Sequence, residues 1–200
     1  MNDDGDAEPD NRPKVLIVED DEDVAETFRG WIDDRYETYI ALRGSEALEL
    51  LEDVDVDVVL LDRLMPGMSG REVLREMDER GFDPRVAMVT AVEPDFDVIS
   101  MGFDEYVTKP SSPDELRDTV ERLLRRDERD DVRRRYASLR AKQAALESSK
   151  SGEELAESDE YAELLRSIED ISDEVDTADS DLVDPTEFLS SLREVEEEDG

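Results

Sequence analysis

The chain has 200 residues, with 60 acids against 24 bases, a formal net charge of −36, and neither histidine nor cysteine. That composition excludes disulfides, thiolate metal sites, cysteine nucleophiles and imidazole acid–base chemistry. No apolar run approaches the roughly 20 residues that span a bilayer, while 37% hydrophobic residues suffice for one modest core, so the length fits one domain plus an appendage or two small domains.

Residues 1–12 read as a disordered acidic arm. Lys14-Val-Leu-Ile-Val18 is an apolar strand running into Glu19-Asp20-Asp21. From Asp23 to Asp34, Val24, Phe28 and Trp31/Ile32 recur at helical spacing. Tyr36 to Leu42 alternates like a strand, and Ser45 to Asp53 is helical, with Ala47, Leu48 and Leu51 on one side. Val56 to Leu61 is an apolar strand ending at Asp62, and Leu64-Met-Pro-Gly-Met-Ser-Gly70 is a loop by its Pro and Gly content. Arg71 to Arg80 is a helix stopped at Gly81. Arg85 to Val89 is a strand ending at Thr90, and residues 94–101 form a short helix that ends near Gly102. Glu105 to Thr108 is a short strand before Lys109-Pro110. Ser112-Pro-Asp-Glu115 is a capping box with proline at the first helical position, and the helix it opens runs to about Arg126.

Strands alternating with helices predict a parallel sheet with helices on both faces, and nearly continuous apolar strands fit burial on both sides. Beyond Arg126 the pattern changes. Val132, Tyr136, Leu139, Gln143 and Leu146 repeat at heptad-like spacing, as do Tyr161, Leu164, Ile168, Ile171 and Val175, around a break at Ser148-Ser-Lys-Ser-Gly152. Two such helices predict an antiparallel hairpin or a dimer seam. The chain therefore divides into the arm 1–12, an α/β domain 13–126, a helical domain 127–177 and an acidic disordered tail 178–200. In that tail Phe188, Leu189 and Leu192 offer a short docking helix or, more simply, scattered apolar residues.

The acidity is shared along the chain: residues 1–126 carry −20 and residues 127–200 carry −16. At ordinary ionic strength such a chain repels itself. At molar salt the Debye length shrinks to about 3 Å and the repulsion is screened. A salt-rich cytoplasm, most simply that of an extreme halophile, is the expected setting. Met1 to Asp10 lacks a signal peptide's apolar segment, so a cytoplasmic location is expected. Direct DNA binding is disfavoured because the phosphate backbone would repel the chain. Arg133-Arg134-Arg135 reads as a solvated helix face rather than a DNA contact.

The chemistry lies at the strand ends: Glu19-Asp20-Asp21, then Asp62, Thr90 and Lys109. In a parallel doubly wound sheet these ends share one edge, where ligands bind. Each residue also has a plain structural reading. Asp20 or Asp21 can cap the next helix, Asp62 can serve a turn, Thr90 can end a strand, Lys109 can be a solvated charge and Tyr106 can pack the core. In order, and each at a strand end, they favour a shared site. Clustered carboxylates require a cation, and all-oxygen ligands fit Mg²⁺. An ammonium and a hydroxyl opposite the metal fit a phosphoryl group, and a carboxylate can accept one as an acyl phosphate.

On Val-Leu-Ile-Val-Glu19-Asp20-Asp21, Val-Val-Leu-Leu-Asp62-Arg-Leu-Met-Pro66-Gly-Met-Ser-Gly70, Val-Thr90-Ala91 and Gly102-Phe-Asp-Glu-Tyr106-Val-Thr-Lys109-Pro110, residues 14–126 resemble the receiver domain of two-component response regulators. The resemblance implies a flavodoxin-like α/β fold, a five-stranded parallel sheet of order 2-1-3-4-5. It implies that Asp62 takes a phosphoryl group from a sensor histidine kinase. Asp20 and Asp62 would ligate Mg²⁺ directly, Glu19 through water, and the Leu64 backbone carbonyl would add a ligand. Lys109 would contact the phosphoryl oxygens, Thr90 would turn toward them, and Tyr106 would rotate inward. Such a protein is a phosphoacceptor signalling switch rather than an enzyme. Glu19 stands where aspartate is commoner, and Arg63 after the acceptor is expected to tune phosphate lifetime. Residues from about 131 to 177, on Arg-Arg-Tyr136-Ala-Ser-Leu139 and Glu160-Tyr-Ala-Glu-Leu164, resemble the HalX domain of haloarchaeal regulators.

The expected output is a switch signalling to the helical region, with transcription as one regulated process. The alternative is a phosphorelay or phosphate-sink receiver whose tail only dimerises. A homodimer through the switch face or the helical tail is open in both. A haloacid-dehalogenase-type hydrolase would want an acid where Leu64 stands. A nucleotide-binding oxidoreductase would want glycines where Asp20-Asp21-Glu22-Asp23 stand.

Overall fold

The computed structural model describes residues 12–109, 111–125 and 131–181. Most of the expected arm, Pro110 and the chain from 182 onward, with Phe188, Leu189 and Leu192, lie outside these residues. Strands β1 (Lys14–Val18), β2 (Glu37–Ala41), β3 (Val58–Leu61), β4 (Arg85–Thr90) and β5 (Glu105–Thr108) form one parallel sheet of order β2-β1-β3-β4-β5. The helices are α1 (Glu22–Ile32), α2 (Gly44–Asp53), α3 (Gly70–Arg80), α4 (Pro113–Arg125), α5 (Asp131–Ser149), α6 (Gly152–Glu157) and α7 (Asp159–Asp181). This is the doubly wound sheet expected from the alternating pattern, followed by a helical unit. Among the described residues no helix is long and apolar enough to cross a membrane.

Local chemistry sets the boundaries. Asp21 caps α1 by accepting from Asp23 N and Val24 N. Ser69 and Glu72 close a capping box on α3, and Gly81 ends that helix in the left-handed region at φ 75°. Ser112 and Glu115 make reciprocal bonds at the start of α4. Strand β3 begins at Val58 instead of Val56, because Asp57 turns its carboxylate onto Lys14 N at 2.7 Å. The short helix expected over 94–101 is a 3-10 helix, Phe96–Ser100, capped by Asp95.

Side chains alternate across the sheet. Val15, Ile17, Val58, Leu60, Ala87 and Val89 face α1 and α4. Leu16, Val18, Val59, Leu61, Val86 and Met88 face α2 and α3. On this second face the connection after β4 supplies only the 3-10 helix, too short to cover the sheet. Helices α5 and α7 complete the layer. They pack on one another, and Leu146, Tyr161, Leu164 and Ile168 are buried in the same core as Met88, Met101 and Phe103. The two heptad-like stretches thus form a hairpin joined by α6, and its apolar side is covered within the chain.

Polar contacts reinforce this docking. Ser138 Oγ donates to Phe103 O at 2.5 Å, Lys142 Nζ to Ile99 O at 3.1 Å and Ser149 Oγ to Pro94 O at 2.9 Å. The arginine triplet departs from the expected solvated face at Arg134. Its guanidinium pairs with Asp104 and Asp83 and donates to Pro84 O, because the loop before β4 and the turn before β5 present carboxylates and a carbonyl beneath it.

Candidate functional site

The C-terminal ends of β1, β3, β4 and β5 meet on one edge of the sheet, as parallel topology requires. Carboxylate oxygens of Glu19, Asp20 and Asp62 lie within 4.8 Å of one another. Lys109 Nζ reaches this cluster from the end of β5, bonding Asp62 Oδ2 at 2.9 Å and pairing with Glu19 Oε2. Glu19 is 4% exposed and Asp62 9%, whereas Asp20 faces solvent. Burial pushes the Glu19 carboxyl above its ordinary range against the pull of Lys109. Burial works to lower the Lys109 pKa, but its bonds to Glu19 and Asp62 hold it above the ordinary value. Lys109 therefore stays charged and offsets part of the repulsion between two carboxylates. The Phe28 ring lies 5.7 Å from its ammonium.

Close packing holds the loop after β3. A Cβ on Gly70 would stand 2.4 Å from Asp62 O and 3.0 Å from Arg63 Cα, so only glycine fits where α3 begins against this backbone. Gly70 N also bonds Arg63 O at 3.0 Å. Gly67, at φ 84°, supplies the left-handed turn before it. Leu64 N donates to Asp62 Oδ1 at 3.3 Å, while the Leu64 side chain is exposed in the loop.

Thr90 is buried at the end of β4, and its Oγ1 accepts from Val92 N at 3.3 Å. Tyr106 on β5 is half-buried, and its hydroxyl donates to Val92 O at 2.7 Å. Burial pushes the phenol up, and Arg63 pulls it back. The structure thus brings Glu19, Asp20, Asp62 and Lys109 together, with Thr90 and Tyr106 tied to the loop behind them. Asp21 belongs to the helix cap instead.

The sequence singled out Arg63 but not the partner it has behind the site, Asp97. Arg63 pairs through Nη2 with Asp97 Oδ2 at 2.5 Å, and the turn to Asp97 lies 34 residues along the chain. No periodicity or motif signals such a pair.

A family model for the response regulator receiver domain matches residues 15–121. The chain belongs to the response regulator receiver family. Its C-terminal part is a HalX domain, matched over residues 125–192, so that match starts near α5 and runs past the expected limit at 177. A relative from Haloferax volcanii, described as a "Putative transcriptional regulator", is 47% identical over 165 residues, covering 82% of this chain. The match spans 28% of that relative's own length.

Solved receivers share the fold. The receiver domain of the Francisella response regulator 1452 is 31% identical at a TM-score of 0.54, covering 57% of this chain and 98% of that one. The signal receiver domain of a LuxO-type repressor from Vibrio parahaemolyticus is 28% identical at 0.54, covering 57% and 92%. The response regulator TrrA of Thermotoga maritima, solved with Mg²⁺ and beryllofluoride, is 33% identical at 0.51, covering 56% and 99%.

Proposed function

We propose that this receiver is a phosphorylation switch of a two-component system, accepting a phosphoryl group on Asp62 from the phosphohistidine of a sensor kinase. The observation that carries the reading is the bridge from Lys109 Nζ to Asp62 and Glu19, with Asp20 beside them. The three-carboxylate donor set fits Mg²⁺; Glu19, Asp20, Asp62 and the Leu64 backbone carbonyl would hold it. When bound, the ion neutralises charge on the carboxylates and on the phosphoryl oxygens.

A carboxylate oxygen of Asp62 attacks phosphorus in line, and the bond from phosphorus to the kinase imidazole nitrogen breaks. The nitrogen keeps the electron pair, and an acyl phosphate remains on Asp62. Lys109 stabilises the transferring oxygens, a task of positioning and charge rather than proton transfer. Thr90 and Tyr106, both bonded to Val92, report the new charge to the segment after β4. The process shifts the population between two states of that segment; no separate substrate is turned over.

Transcription is the regulated process in this reading, supported by the description of the Haloferax volcanii relative. A net charge of −36 opposes direct contact with DNA. The second reading, a phosphate sink whose tail only dimerises, is less well supported. Leu146, Tyr161, Leu164 and Ile168 are buried in the receiver's own core instead of forming a seam between copies.

Asp62→Asn tests the reading. With acetyl phosphate and Mg²⁺ in molar salt, the wild type gains one phosphoryl mass and the variant gains none. Equal labelling of the variant would refute the assignment of the acceptor.

A further inference from the structure

The 3-10 helix Phe96–Ser100 is held from two sides. On the acceptor side, Arg63 Nη2 pairs with Asp97 Oδ2 at 2.5 Å, and Arg71 Nη2 donates to Ser100 Oγ at 3.0 Å. On the helical side, Lys142 donates to Ile99 O, Ser149 to Pro94 O, and Lys150 pairs with Asp95 Oδ1 at 3.0 Å. Lys150 also lies 5.6 Å over the Phe96 ring. The turn therefore joins the acceptor loop to α5.

Arg63 is placed to feel both ends. It follows Asp62 directly, its side chain is 14% exposed, and the Tyr106 phenol lies against the same guanidinium. Its pairing is incomplete: Nη1 of Arg63 and Oδ1 of Asp97 are buried without a hydrogen-bond partner. A buried guanidinium short of acceptors responds strongly to negative charge placed beside it, because the local dielectric is low.

We infer that Arg63 is a positioning residue that carries the charge state of Asp62 to the docked HalX helices through its pair with Asp97. The inference rests on the proposed phosphorylation of Asp62. Phosphorylation replaces the single charge of the Asp62 carboxylate with a phosphoryl group carrying roughly −1.5 to −2, which competes with Asp97 for the guanidinium. Asp97 is then left with Arg71, 4.0 Å away. The turn loosens, and with it the carbonyls of Pro94 and Ile99 to which α5 is bonded. The output is thereby delivered within one chain.

The test is amide hydrogen exchange of the full chain in molar salt with Mg²⁺, with and without beryllium trifluoride, read over residues 94–101 and 142–150. Labelling of Asp62 by acetyl phosphate is followed in parallel by mass. In the wild type, beryllium trifluoride raises exchange in both segments about fivefold or more. Arg63→Gln still takes a phosphoryl group on Asp62, whatever its lifetime there, but loses the exchange response to beryllium trifluoride, and Arg63→Lys, which keeps the charge, restores its direction. Should Arg63→Gln fail to fold, Asp97→Asn breaks the pair from the other end; its turn exchanges fast with or without the mimic. A full wild-type response in Arg63→Gln or Asp97→Asn would overturn the inference. So would a wild type that labels on Asp62 but shows no change over 94–101, and that result would leave the acceptor assignment standing. A wild type that does not label at all overturns both.

Discussion

Arg134 of α5 donates from Nε to Asp104 Oδ1 at 3.0 Å, and Asp104 accepts Val86 N on its other oxygen at 2.8 Å. One carboxylate, 2% exposed, thus ties the helical unit to the turn before β5 and to β4. A buried carboxylate held this way loses heavily when its cation is removed, since the charge stays behind without compensation. Arg134→Met should lower the unfolding free energy by about 3 kcal/mol. Urea denaturation in molar salt measures it, and an unchanged midpoint would show that the pair does not hold the unit in place.

Lys142 gives the docked unit a pH dependence. Its side chain is buried under α5, with Nζ on Ile99 O and 5.4 Å from the Phe103 ring. Burial pulls its pKa from 10.5 down to about 8, with Asp104 opposing. The folded chain therefore disfavours the ammonium. The penalty is fully present below about pH 8 and disappears as the pH rises toward the unfolded value. Stability should increase over that window by about 3 kcal/mol. Lys142→Met removes the titrating group and should show no such increase, so unfolding curves of both proteins at neutral and alkaline pH decide the matter.

Gly70 is predicted to be indispensable to the geometry around Asp62, the proposed acceptor. The Cβ of Gly70→Ala would meet Asp62 O at 2.4 Å, against backbone that cannot swing aside. The expected cost is about 1–3 kcal/mol of stability and roughly a hundredfold slower labelling of Asp62, from misplacement of the attacking oxygen. Gly152→Ala is the control, because a Cβ there meets nothing within 4 Å. Similar labelling rates for the two variants would contradict the prediction.

Salt should act on the whole chain. With 60 acids against 24 bases, repulsion within the fold grows as screening weakens. Thermal melts from molar salt down to about 0.1 M, where the Debye length reaches about 10 Å, should show a steadily falling midpoint. A midpoint independent of salt would mean that the acids interact too weakly to matter.

The cleft of carboxylates around Lys109 could be read from sequence because its parts are local. Each of Glu19, Asp62, Thr90 and Lys109 follows a short apolar strand, and a parallel sheet sends all strand ends to one edge. Caps and turns were legible for the same reason: Asp21, Ser112 and Gly81 act on backbone within a few residues of themselves. The helical unit was legible only as two apolar stripes. Periodicity shows which face of a helix is apolar but not what covers it, so a hairpin and a dimer seam looked alike.

By itself, the sequence determined the order of strands and helices, the convergence of acids and lysine at the strand ends, and the excess of acid along the whole chain. Tertiary structure alone decided that Leu146, Tyr161, Leu164 and Ile168 complete the receiver's core, and that Arg63 meets Asp97 and Arg134 meets Asp104. The reason is physical. Hydrogen bonds to neighbouring backbone are set by residue type and spacing. A pairing across 30 or 34 residues depends on how long the connection after β4 is and how much sheet it leaves uncovered.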